Sequence, residues 1–111
     1  MDTLDIYRQI IHSVLSEYVR LQYAYGEIQN ETIFDRQADR YLVMSVGWQQ
    51  VRRIHGCLIH IDIINDKVWI QRDGTEDGIA DELVAAGIPK EKIVLGFHTP
   101  DARRHTEFAV A

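Results

Sequence analysis

The sequence predicts an α+β fold: an antiparallel sheet with two helices packed on one of its faces. Three observations carry this reading. Apolar residues near the start recur at three- and four-residue spacing, which is one stripe of a helix. The middle of the chain holds β-forming runs that alternate apolar and polar residues and are joined by short turns. A second helical stripe and a further β-forming run follow. Short connections between successive strands imply an antiparallel meander, and helices grouped outside such a sheet make an α+β arrangement.

The first helix is marked by Leu4, Tyr7, Ile10, Ile11, Val14, Leu15, Tyr18 and Leu21, with Asp5, Arg8, Gln9, His12, Ser16 and Arg20 on the other side. Asp2 or Thr3 is positioned to cap its first turn. Gly26 closes the region. Glu27–Asp35 reads as a strand, 36–39 as a polar turn, and Arg40–Trp48 as a second strand. Ile54–Ile64 is the strongest strand, because Cys57, Ile59, Ile61 and Ile63 alternate with other residues and so share a face. Asn65-Asp66 is a hairpin turn into a returning strand, Val68–Arg72. The second helix is expected from Glu76 to Ala86, with Thr75 as N-cap, Glu76 and Asp77 in the first turn, and Gly87 as the stop. Its buried stripe is Ile79, Ala80, Leu83 and Val84. Pro89–Lys92 is a tight turn, Ile93–Phe97 a strand, Pro100–His105 a polar turn and Thr106–Val110 a last short strand.

The 111 residues make room for one domain, 1–111, with one core. A net charge of −5 argues against strong intrinsic nucleic-acid binding, which needs clustered Lys and Arg. Cys57 is the lone cysteine, so no intrachain disulfide forms and a reducing compartment fits. The acidic N-terminus does not read as a secretory leader, and no apolar run has the length of a membrane span. The expectation is a soluble, cytoplasmic protein.

From Val46 onward the residues form a recognisable string. Gly47-Trp48 is followed by Arg53-Ile54-His55-Gly56-Cys57-Leu58-Ile59-His60-Ile61-Asp62-Ile63, then by Val68-Trp69-Ile70-Gln71-Arg72-Asp73-Gly74-Thr75-Glu76-Asp77-Gly78-Ile79-Ala80. Gly87-Ile88-Pro89, Ile93-Val94-Leu95-Gly96-Phe97-His98 and Phe108-Ala109-Val110 complete it; Tyr7-Arg8 and Thr32-Ile33-Phe34-Asp35 also fit. Across the whole chain this order resembles the XisI-like family, named for the controlling factor of fdxN element excision in cyanobacteria. The resemblance implies a small α+β domain that regulates a programmed DNA rearrangement in heterocyst differentiation, alongside a separate recombinase. It also implies a XisH-like partner of nuclease fold. It carries no catalytic residue, cofactor or metal ligand over to this chain.

The residues themselves leave three kinds of function open. A metal-dependent hydrolase or nuclease would use Asp62, Asp73 and His60, with Glu76 and Asp77 nearby, since carboxylates at strand ends hold Mg²⁺. The lysine that such nuclease strands place beside the metal is missing: Asp73, not Lys, lies two residues after Gln71. His60 and Asp62 share a strand face and pair more simply as a structural hydrogen bond. Zinc ligation would also need His55, His98 or His105, which have no ligand spacing. Cys57 sits in the core pattern, not in a nucleophile's setting. Gly74 to Gly78 lacks the bare N–H groups and basic residue of a phosphate loop. Arg52-Arg53 and Arg103-Arg104 are a thin footprint for DNA. The non-enzyme reading places the function on the sheet face away from the helices. Alternation sends Leu58, His60, Asp62, Ile64, Trp69 and Gln71 there, with Trp48 joining them. Such a face suits a XisH-like protein or a second copy of the chain, and a small ligand is the third reading. The opposing expectation is that the segment from Pro100 onward simply covers it.

Overall fold

The structure is a computed structural model that describes residues 2–21 and 27–111. Helix α1 runs Thr3–Leu21. Strands β1 (Glu27–Asp35), β2 (Arg40–Gln49), β3 (Arg52–Ile64) and β4 (Lys67–Asp73) follow, then α2 (Ile79–Ala85), a 3₁₀ turn at Lys90–Lys92, β5 (Ile93–Leu95) and the short α3 (Pro100–Arg103). The strands lie in the order β1-β2-β3-β4-β5. The expected helix stop at Gly26 falls outside the described residues.

The predicted stripe of α1 is the one that is buried: Tyr7, Ile11, Val14 and Leu15 pack on the sheet. Asp2 makes the cap, its carboxylate accepting the Asp5 N–H at 2.8 Å. The sheet presents Tyr41, Val43, Ile59, Ile61, Ile63, Val68 and Ile70 to the same core, and α2 adds Ile79 and Leu83. Both longer helices therefore cover one face. Asn65 and Asp66, with φ of 49° and 66°, form the tight β3–β4 hairpin turn that a two-residue connection requires.

Four local expectations are corrected. The sheet is mixed, because β5 runs parallel to β4. The crossover through α2 returns the chain to the same end, which a hairpin cannot do. Second, β5 stops at Leu95, and the 106–110 segment contributes only a bridge, Val94 to Ala109. Third, α2 starts at Ile79. Its first N–H is taken by Asp73, whose Oδ2 lies 2.7 Å from Ile79 N, while Asp73 Oδ1 accepts from the Thr75 N–H and hydroxyl. Thr75, Glu76 and Asp77 thus belong to the turn before the helix. Fourth, Pro100–Arg103 is helical, with Thr99 Oγ1 accepting the Ala102 N–H and Pro100 in the first turn.

Two irregularities in the sheet change which residues face where. Val43 pairs with Ile59 but Met44 pairs with Cys57, so Leu58 is an extra residue in β3. Ile61 pairs with Ile70 but His60 pairs with Arg72, so Gln71 is an extra residue in β4. Each bulge reverses the alternation beyond it.

Candidate functional site: the outer face of the sheet

The bulges redraw the predicted surface. Leu58 leaves it and packs against the core cluster. Cys57, expected in the core with Ile59, instead shares a face with Met44. Burial pushes its thiol pKa up, and its S–H donates to the Ile59 carbonyl at 3.3 Å. That is the opposite of an activated thiolate. Asp73, two residues past Gln71, aligns with Ile59 on the helix-covered side and is spent on the α2 cap.

His60, Asp62 and Gln71 do come together on the outer face. His60 Nε2 lies 2.8 Å from Asp62 Oδ1, and the Gln71 amide reaches Asp62 Oδ2 at 3.4 Å. In the next rows Asp62 aligns with Arg40 and Trp69, and His60 with Leu42 and Arg72. Arg72 Nε is committed to the Cys57 carbonyl at 2.8 Å. Asp73, the third member of the hydrolase set, is on the other side of the sheet. The group that remains is a carboxylate holding an imidazole and an amide.

At the β4–β5 end the face is roofed by the chain itself. The Arg103 guanidinium sits 5.1 Å from the Trp69 ring centroid. The same side chain donates to the carbonyls of Leu95, Gly96, His98 and Val110. This binds the C-terminal segment across Trp69, as the opposing expectation from the sequence had it. Arg103 is therefore an internal clasp, and Arg104 pairs with Asp101 in its own helix. Arg53 is likewise occupied, over the Trp48 ring at 5.1 Å. Both Arg pairs singled out in the sequence thus have a member folded onto a tryptophan. Ile64, aligned with Lys67 at the hairpin end, remains exposed.

The uncovered part of the face lies on β1–β3. Tyr41 and Val43 point into the core, so Leu42, Met44, Val46 and Trp48 point outward, with Ile33 beside Leu42. Ile33 is 50% exposed and Trp48 44%. Trp48 lies eight residues along β2 from Arg40, the row of Trp69, or roughly 27 Å at strand rise. The two tryptophans predicted on one surface are thus at opposite ends of it. Sequence reading missed the row Leu42, Met44 and Val46. The signal was present: β2 is apolar at successive positions, which marks a strand with apolar side chains on both faces.

Comparison with known proteins gives a consistent picture. The family model described as XisI protein matches residues 1–110. Among solved structures, a XisI-like protein from Anabaena variabilis is 33% identical, with a TM-score of 0.86, over 99% of this chain and 100% of that one. The fdxN element excision controlling factor XisI from the same organism is 38% identical, with the same TM-score and coverage. No curated protein matches the chain.

Proposed function

The chain belongs to the XisI protein family, and from that premise we propose that it is a regulatory, non-catalytic factor of a programmed DNA excision, acting through protein contact. The observation that carries this reading is the likeness along 99% of the chain to a protein named as an excision controlling factor, at 38% identity. The outer face supports the mode of action. Its open half carries Ile33, Leu42, Met44, Val46 and Trp48, an apolar stretch of the kind that marks a protein contact. The partner of choice is a XisH-like protein of nuclease fold, which supplies the DNA chemistry and the DNA contacts. Cytoplasmic action fits this role, and among the described residues no helix is long and apolar enough to cross a membrane.

The test is direct. The isolated protein is incubated with supercoiled, linear and single-stranded DNA in Mg²⁺ or Mn²⁺. No cleavage and no submicromolar complex at physiological salt is the expected result. Cleavage that disappears in a His60→Ala, Asp62→Asn double variant would overturn the non-catalytic reading.

A further inference from the structure

Strand β1 ends the sheet, so one side of its backbone lacks a neighbouring strand. Among the described residues nothing pairs with that side. About half of an edge strand's N–H and C=O groups point away from its partner and form a template for another strand. Nine residues offer roughly 30 Å of such edge. Exposed edges are ordinarily protected by shortness, a bulge, a proline, a covering segment or charged side chains. The opposite edge follows that rule: β5 has three residues and is bridged by Ala109. Of these protections β1 has acidic side chains. Its register with β2 is unbroken from Glu27–Trp48 to Asp35–Arg40, and its sequence EIQNETIFD holds no Pro, Gly or Lys.

Charge selects the occupant. Alternation places Glu27, Glu31 and Asp35 on the outer face with Ile33, and all four are exposed. Among the described residues no ion pair engages Glu27 or Glu31. Asp35, at the end of the row, accepts the N–H groups of Gln37 and Ala38. A second copy added antiparallel along the full edge would set Glu31 against Glu31 and Glu27 against Asp35 twice. Like charges directly opposite each other destabilise a strand pair. A strand with Lys or Arg at alternate positions meets the same row favourably. We infer that the β1 edge is a docking site for an extended, basic segment of a partner protein, which joins the sheet as a sixth strand by main-chain hydrogen bonding. The site stands whether or not the chain takes part in excision.

The probe is an end-blocked nonapeptide alternating Lys and Val, compared with a Glu-for-Lys analogue and with an N-methylated copy that cannot donate hydrogen bonds. Hydrogen exchange locates binding on the full chain, and calorimetry ranks the peptides. Protection confined to 27–35 by the basic peptide is expected, with at least tenfold weaker binding of both analogues. The Glu27→Lys, Glu31→Lys variant should lose at least tenfold in affinity for the basic peptide, with circular dichroism unchanged. Should it misfold, Glu27→Gln, Glu31→Gln carries the same expectation. No protection at β1, equal binding of the three peptides, or parental affinity in a folded variant each overturns the inference, as does a dimer that buries the β1 amides.

Discussion

The guanidinium of Arg103 lies over the indole of Trp69 while its N–H groups hold carbonyls on either side of the last helix, Leu95 and His98 before it and Val110 after it. One side chain therefore decides how much of the outer face is closed. A cation over a tryptophan contributes about 0.5–2 kcal/mol, and hydrogen bonds from a charged donor add to it. Arg103→Ala should destabilise the fold by about 1–3 kcal/mol and change the tryptophan emission. Arg104→Ala, which loses only an exposed pair with Asp101, should stay within about 0.5 kcal/mol. Urea denaturation separates the two; equal midpoints would show that the C-terminal segment is held some other way.

Ile61 is fully buried between the helices and the sheet. Ile61→Ala should cost about 2–5 kcal/mol, against a small effect for Gln9→Ala on the exposed side of α1. The bulge adds a sharper contrast. Leu58→Ala should cost more than Cys57→Ala, because Leu58, not Cys57, packs against the core. The reverse order would restore the simple alternation.

Gly47 is aligned with Ile28, and the strands approach so closely there that a Cβ would lie 1.9 Å from the Glu27 carbonyl oxygen. That atom is backbone and cannot swing aside. Gly47→Ala should force β1 and β2 apart at this end and cost about 1–3 kcal/mol or more. Amides of β1 should exchange faster in this variant, whereas unchanged exchange would refute the close approach.

Asp39 joins the helix to the sheet. Its carboxylate accepts from Arg8 at 2.7 and 3.0 Å and from the Tyr41 hydroxyl at 3.0 Å. The Arg8 bond holds the Asp39 pKa below its ordinary value, against the opposing effect of burial. Its contribution is present above the unfolded value of about 4 and is lost as pH falls toward the lowered folded value. Tyr41 works at the other end. Burial, followed by the Asp39 bond, pushes it up to about 12. Its contribution is full below the unfolded value of about 10 and fades as pH rises toward 12. Stability should therefore fall in both ranges. Asp39→Asn should be less stable at neutral pH and flatten the acid limb, and Tyr41→Phe should flatten the alkaline limb. Parental slopes in both variants would contradict this.

The element order from α1 through β5, the α1 stripe and the bounds of β1 were legible because each rests on local pattern or turn chemistry. The Ile59, Ile61, Ile63 face was legible for the same reason. The pattern misled where a bulge adds one residue. Cys57 and Leu58 are both apolar, so nothing in the string marks which of them faces inward; the pairing of Met44 with Cys57 decides it. The start of α2 was misread because Glu76 and Asp77 look like a first helical turn, while the group that satisfies the helix start, Asp73, reaches it from the end of β4. The roles of Arg103 and Trp48 depend on contacts between separate elements, and a single string of residues does not contain them.

A regulatory role through protein contact requires that the open half of the outer face receive a nuclease-fold partner. Co-expression with a XisH-like protein, followed by calorimetry, measures that affinity. A stoichiometric complex is expected. Trp48→Ala should weaken it roughly thirtyfold, the loss typical of a tryptophan anchor, with circular dichroism unchanged. Val51→Ala, at the almost fully exposed β2–β3 turn, should bind like the parent. The absence of a complex with a folded XisH-like protein, or parental affinity in Trp48→Ala, would contradict the account.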